Sequence, residues 1–380
     1  MVSLVSLTAG STLTTPIFEL YRQRYHLTDQ YVTGIFAAYV LGVIVSLLIS
    51  GTATRRWGGK AVALTAAALS VAATAVFLLA DTAATVSAAR VVSGISVGLC
   101  TATLTTMLRD CLPARAAALR ASAGIAAGLG CGPLLAGAGV HWLPDPTHQV
   151  YWIYLPFPVI SLVLLATVPA APRQAAPTWK ARSHRTFGGR RRIVLSTATL
   201  CCAYALNGYY LSLVPSLLQR DLAAARLLGA LAVTVLLATA AAGQAFARNL
   251  SRHMVERVGL IIMAGGSLCA VVTVLAASGS GFLLSTAVLG VGHGMTTSSG
   301  LSALNAVVLP SRSAAVTTRY YLCGYLASSL PVICIGWLSD QVGLAAAGVS
   351  FFLVIMCGAG LCLVLLSRGP HTMEGEERRS

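Results

Sequence analysis

Charge is scarce in this 380-residue sequence. Only 10% of its residues are charged, and only 11 are acidic. Soluble domains carry about 25% charge. With 56% hydrophobic residues and a mean hydropathy of +0.79, a water-soluble fold of this length has no way to hide its apolar surface. That excludes a soluble globular domain and leaves a polytopic membrane protein. The ten cysteines contain no CxxC spacing, and all but Cys111 lie inside apolar runs. They read as small packing residues rather than metal ligands or disulfides, and no metal site is expected. A nucleotide-binding loop, a paired-histidine metal motif and an acidic catalytic cluster are all missing, which argues against a membrane enzyme. No basic segment precedes the first apolar run, "VSLVSLTAG", so no cleavable signal peptide is expected.

What charge there is has one dominant sign: 26 Lys and Arg give a net charge of +15. Nucleic-acid binding would need these cations on an exposed face. Instead they fall in short clusters between apolar runs. A span needs about 20 apolar residues, and the sequence offers twelve such runs. Their approximate limits are 2–20, 31–51, 61–80, 84–108, 119–140, 150–169, 193–218, 226–247, 258–277, 281–308, 314–338 and 344–366. The first is the weakest, being rich in Ser and Thr. With the N-terminus inside, 21 Lys/Arg lie in or beside the cytoplasmic loops and tail, against Arg22, Arg24, Arg220 and Arg226 outside. The positive-inside rule then places both termini in the cytoplasm.

The longest connection, "PAAPRQAAPTWKARSHRTFGGRRR" at 169–192, is proline-rich, basic and non-periodic, as a linker would be. It separates an N-terminal half, 1–168, from a C-terminal half, 193–367, with a tail at 368–380. The halves echo each other. "CLPARAAA" follows span 4 and "VLPSRSAA" follows span 10; Pro16 near the end of span 1 recurs as Pro215 near the end of span 7, 199 residues on. Parallel repeats of this kind are one architecture of secondary transporters. The expected fold is therefore all-α, with twelve transmembrane helices in two six-helix halves.

Three local patterns carry a resemblance to the major facilitator superfamily over essentially the whole chain. In "GTATRRWGGK", between spans 2 and 3, Gly51, Arg56, Gly58 and Lys60 match the family's loop pattern. Arg55 stands where the family has the acid that helps latch the cytoplasmic side. Asp110, at the end of span 4, is the acid left to partner Arg55, Arg56 or Lys60; otherwise these are simply inside-positive loop charges. In "RVVSGISVG" of span 4, Arg90, Gly94 and Gly98 fit the family's Arg-x-x-x-Gly signature. An intramembrane arginine is costly unless it faces a cavity or a partner, or snorkels to the interface. In "GLGCGPLLAG" of span 5, Gly128, Gly132, Pro133 and Gly137 resemble the Gly-Pro signature of the antiporter branches, with Ala136 departing from it. The two glycines would face a neighbouring helix, span 8 of the other half being the expected one. Pro133 would bend the helix. A surface so smooth and kinked is one on which two halves can rock; generic small-residue packing is the plainer alternative.

Few ionisable residues lie inside the spans. Glu19 is the expected proton carrier, with Arg90 as its ion partner; the alternative is a local pair with Arg22 at helical spacing. Tyr204, Asn207, Tyr209 and Tyr210 of span 7 and His293 of span 10 are the expected substrate-cavity residues. One helix face cannot show all four of span 7 to the lumen, so two are expected to pack, and His293 reads as a packing histidine rather than a proton carrier. Aromatic faces with polar handles suit amphipathic, cationic or aromatic molecules. The resemblance implies a secondary exporter of small amphipathic molecules in the drug/proton antiporter branch, working by alternating access. It would be a monomer in the cell membrane, in contact with lipid and substrate, with a proton gradient in place of any cofactor. A sugar or amino-acid facilitator or symporter remains the alternative, and a non-transporting membrane protein or polytopic enzyme a remote one.

Overall fold

The computed structural model describes residues 1–169, 189–222, 226–248, 250–307 and 310–367. Among these, all regular structure is helical. The first eight helices are α1 (Val2–Leu13), α2 (Phe18–Arg24), α3 (Asp29–Trp57), α4 (Gly59–Leu78), α5 (Ala83–Cys111), α6 (Ala114–Trp142), α7 (Pro146–Tyr154) and α8 (Pro156–Thr167). The helices of the second half are α9 (Gly189–Ser212), α10 (Val214–Arg220), α11 (Arg226–Ala247), α12 (Arg252–Leu275), α13 (Gly279–Val307), α14 (Pro310–Val342) and α15 (Leu344–Ser367).

Nine of the twelve expected spans are, among the described residues, long and apolar enough to cross a membrane. The other three are α1–α2, α9–α10 and α13. The first is broken. α9 and α13 carry polar residues in mid-helix, Asn207 and the tyrosines in one and His293 with Thr296–Ser299 in the other. The repeat seen around Pro16 and Pro215 is structural. Pro16 lies in a 3-10 turn, Thr15–Ile17, that separates α1 from α2. Pro215 lies in the first turn of α10, just after the chain leaves helix at Leu213. Proline lacks an amide donor, so both helices reset their hydrogen bonding there.

The core is divided in the same way. One apolar cluster, built round Tyr209, Tyr210, Phe282, Phe351 and Phe352, is drawn only from residues 205–362. A second, from Leu4 to Leu165, lies wholly in the first half. A third, round Leu13, Phe18, Tyr21 and Tyr151, takes in Leu211 and Val233 and so joins the two. The halves meet chiefly where α6 packs on α11 and α3 packs on α14. Large apolar side chains such as Leu48, Trp152, Leu284 and Val354 stand exposed round the outside, the surface that lipid would cover.

Residues 170–188 of the expected linker and the tail 368–380 lie outside the described residues, as do the side chains of Arg115 and Arg312. The end of the expected linker is a correction: Gly189–Arg192 already belong to α9.

Candidate functional site

At one end of the molecule, the Asp29 face, four helices converge. α3 starts with Thr28 as its cap, whose hydroxyl accepts from the Tyr31 amide at 3.2 Å. The Asp29 carboxylate that follows is 3% exposed. Arg220, at the end of α10, donates to its two oxygens at 2.7 and 2.9 Å. Ser339 of α14 donates to the same carboxylate at 2.6 Å. Asp340 completes the ring, accepting from the backbone amides of Asp29 at 2.8 Å and Gln30 at 3.0 Å. A further hydrogen bond between halves runs from Thr234 of α11 to the Gly130 carbonyl of α6, at 3.4 Å.

Glu19 belongs to the Asp29 face and is 1% exposed. Arg22 holds both of its oxygens, with contacts of 2.8–3.1 Å, and Gln23 adds a bond of 3.0 Å. This corrects the expected Glu19–Arg90 pairing in favour of the local one. Nearby on the surface, the Thr147 hydroxyl, and then His148, hold the Asp145 carboxyl below its usual value.

Arg90 is 1% exposed and does not snorkel. Its Nη1 donates to the Ser11 carbonyl at 2.7 Å, and its guanidinium lies 4.5 Å from the Tyr39 ring and 5.4 Å from the Phe18 ring. Its Nε has no partner. Desolvation is therefore offset by aromatic faces and one carbonyl, not by a carboxylate. Tyr39 comes within electrostatic reach of Tyr204 and Tyr325 from the other half. Those two meet edge to face, 5.4 Å apart. All three tyrosines are half-buried, and the buried Oδ1 of Asn207, one turn beyond Tyr204, has no partner. His293 is set deeper, its Nδ1 3.1 Å from the Ala203 carbonyl.

Tyr209 and Tyr210 are corrections. Both are fully buried inside the C-terminal half. Tyr209 stacks on Phe351 at 4.3 Å, and Tyr210 bonds Thr286 at 2.8 Å while stacking on Phe282. One helix cannot turn four neighbouring side chains to one cavity, and these two fill the core.

The span-5 signature is corrected too. Gly128 and Gly132 face Val5, Thr8, Ala9 and Thr12 of α1, within their own half. It is Gly137 that meets the helix expected for those two: a side chain there would strike Ala230 and Leu227 of α11. Pro133 is buried between these two contacts. Gly94 and Gly98 also pack within the half, against Tyr39–Val43 and Ser46 of α3. At the opposite end of the molecule, the Gly58 face, Gly58 takes a positive φ of 84°, the left-handed turn by which α3 ends and α4 begins. Lys60 donates to the Ala166 carbonyl at 2.9 Å, tying the end of α8. Gly51, Arg56 and Asp110 are exposed, Arg56 with a partner of its own. Asp110 forms no ion pair with Arg55, Arg56 or Lys60, so it does not replace the missing loop acid.

Sequence reasoning missed Asp29, Arg220, Ser339 and Asp340 because they sit in what read as solvated loops and span ends. It also missed Tyr39, Tyr325 and Glu256. The pattern Thr-Asp at a helix start was visible, but a cap does not announce a partner 311 residues away.

A helical membrane protein built of two packed halves, sealed between them at one end and lined by polar groups at the centre, is by class a transporter. A family model for the Major Facilitator Superfamily matches residues 1–331, and the chain belongs to that superfamily. It is 32% identical over 146 residues to the multidrug resistance protein MdtL of Escherichia coli O45:K1, a match covering 38% of this chain and 37% of that protein. Among solved structures, the inward-open xylose transporter XylE from E. coli aligns with 98% of this chain and 95% of its own, with a TM-score of 0.77 and 16% identity. An inward-facing, occupied bacterial homolog of the human lysosomal transporter Spinster aligns with 96% and 95%, with a TM-score of 0.74 and 16% identity. Identities this low speak for the fold.

Proposed function

We propose that this chain is a secondary active exporter of small amphipathic molecules, driven by inward proton flow. It works by alternating access, as a monomer in a bacterial inner membrane with both termini cytoplasmic. The observation that carries the reading is the closure of the Asp29 face, where the Asp29–Arg220 pair, Ser339 and Asp340 bond the two halves together. In the proposed orientation that face is external, so this is a state of the cycle closed to the outside. The tyrosines and Asn207 between the halves offer stacking faces and hydrogen bonds without a carboxylate, a surface suited to an aromatic or cationic molecule. The partial likeness to MdtL supports efflux as the direction.

Proteoliposomes tested with ethidium, a lipophilic aromatic cation, under an imposed pH gradient decide the matter. Export predicts uphill ethidium movement opposite to the proton, abolished by a protonophore. Sugar or amino-acid movement in the same direction as the proton, with ethidium inert, would establish the symporter alternative.

A further inference from the structure

Three carboxylates are buried among the described residues: Glu19, Asp29 and Glu256, each at 3% exposure or less. Glu19 is held by Arg22 and Asp29 by Arg220. Glu256, in the first turns of α12 and inside the span Met254–Leu275, forms no ion pair among the described residues. The ion pairs among described residues are those of Glu19, Asp29 and Asp145. The Glu256 Oε1 is sealed from solvent and has no hydrogen-bond partner.

Its surroundings repeat the pattern. The hydroxyl of Tyr320, on α14, is buried without a partner, and so is the hydroxyl of Ser196, on α9. The Tyr320 oxygen fills the space where a side chain on Gly300 would begin, beside the Ser196 carbonyl. Tyr320 and Glu256 lie within electrostatic reach of each other. The other ionisable groups acting on Glu256 are Arg192 of α9 and the thiol of Cys362 on α15. From α13, Met295 and Thr296 pack on the next turn of α12, and neither is charged.

An ionised carboxylate is not stable in such a place without a cation or a set of donors, whereas a neutral carboxylic acid is. We propose that Glu256, rather than Glu19, holds the exchangeable proton of this transporter. Glu19 accepts four hydrogen bonds from the Arg22 guanidinium and the Gln23 amide, and protonation of either oxygen would disturb that set. Glu256 gains a proton without breaking any. Deprotonation then requires a conformation that brings water or a cation to α12, which ties proton release to the movement of the helices round it. The use of that proton in export rests on the antiport reading above; its residence on Glu256 does not.

Infrared difference spectroscopy of the full chain in nanodiscs, titrated with acid and alkali, tests the residence directly. The wild type is expected to show the C=O stretch of a protonated carboxyl at neutral pH. Glu256→Gln abolishes that band, Glu19→Gln leaves it intact, and Glu256→Asp moves its frequency. Should Glu256→Gln not be recovered folded, the frequency shift in Glu256→Asp carries the same information. A band that survives unchanged in both Glu256 variants, or that vanishes in Glu19→Gln, overturns the assignment. Ethidium flux separates the two levels. If wild type moves no ethidium but the Glu256 band is present, the exporter reading fails and the proton site stands. If ethidium export persists at wild-type rate against its gradient in Glu256→Gln, the site is not the coupling site.

Discussion

The hydroxyl of Thr12 donates to the backbone carbonyl of Leu129 at 2.9 Å, and Leu129 is the residue four before Pro133. That carbonyl is the one a proline leaves without its helical donor. α1 therefore supplies, from across the helix pair, the bond that α6 gives up. The proline and Gly132, over which Thr12 lies, are two parts of one joint between spans 1 and 5.

Thr12→Val should thus strand a buried acceptor and lower stability by about 1 kcal/mol, within the range for unsatisfied groups and for hydrogen bonds in membranes. In a Pro133→Ala background the helix regains its own donor, and the same change should cost less. A double-mutant cycle on thermal unfolding measures the difference. Equal costs in both backgrounds would mean that Thr12 does not serve the proline.

Gly132 and Gly137 should separate by phenotype. A leucine at Gly132 collides with α1 inside one half, so the yield of folded protein should fall; overpacking costs roughly 1–3 kcal/mol. A leucine at Gly137 collides with Ala230 across the halves. It should fold, disfavour closure of the Asp29 face, and lower flux per folded molecule. Expression and flux measured side by side read both, and identical behaviour of the two variants would refute the distinction.

Asp29→Asn should loosen the Asp29 face. Removing one partner of a buried pair costs about 3–5 kcal/mol, and Arg220, being 30% exposed, sets the effect at the lower end. The thiol introduced by Ser216→Cys is buried in the closed face. Its reaction with a membrane-impermeant maleimide should speed up by about tenfold or more, the factor equivalent to 1.4 kcal/mol. An unchanged rate would show that the pair does not hold the face shut.

Arg90→Lys should not be tolerated as a conservative change. The planar guanidinium lies over Tyr39 while bonding the Ser11 carbonyl, and an ammonium cannot do both. Tyr39→Phe keeps the ring face and should leave stability near wild type, whereas Tyr39→Leu should cost about 1–2 kcal/mol. Thermal unfolding of the three variants checks the order.

Cys111, exposed at the end of α5 on the Gly58 face, reports orientation. In a chain whose other cysteines are replaced by serine or alanine, an impermeant reagent should label Cys111 only after cells are opened. Efficient labelling of intact cells would invert the proposed topology.

How far the sequence led depends on the kind of signal. Helix number, the two proline breaks and the burial of Arg90 follow from hydropathy and the echo between Pro16 and Pro215, which act locally. Helix faces did not follow. Tyr204 and Tyr210 are six residues apart, yet one approaches Tyr39 of the other half while the other is sealed among phenylalanines. Only the rotation of α9 in its packed setting decides that. Gly128, Gly132 and Gly137 read as one signature, but α6 has a different neighbour at each end. Charge partners were least legible. Glu19 and Arg22 stand three apart and announce themselves, while Asp29, Arg220 and Asp340 become neighbours only when the halves close.

The start of α3 is finished by another part of the chain. Two of the amide protons that any helix leaves without an internal acceptor, those of Asp29 and Gln30, point at the two oxygens of Asp340. When the halves part, both amides pass to water, while the Tyr31 amide keeps its Thr28 hydroxyl. Deuterium exchange at two named positions thus becomes a clock for opening. It runs in the unlabelled native chain, with the neighbouring amide as its internal standard.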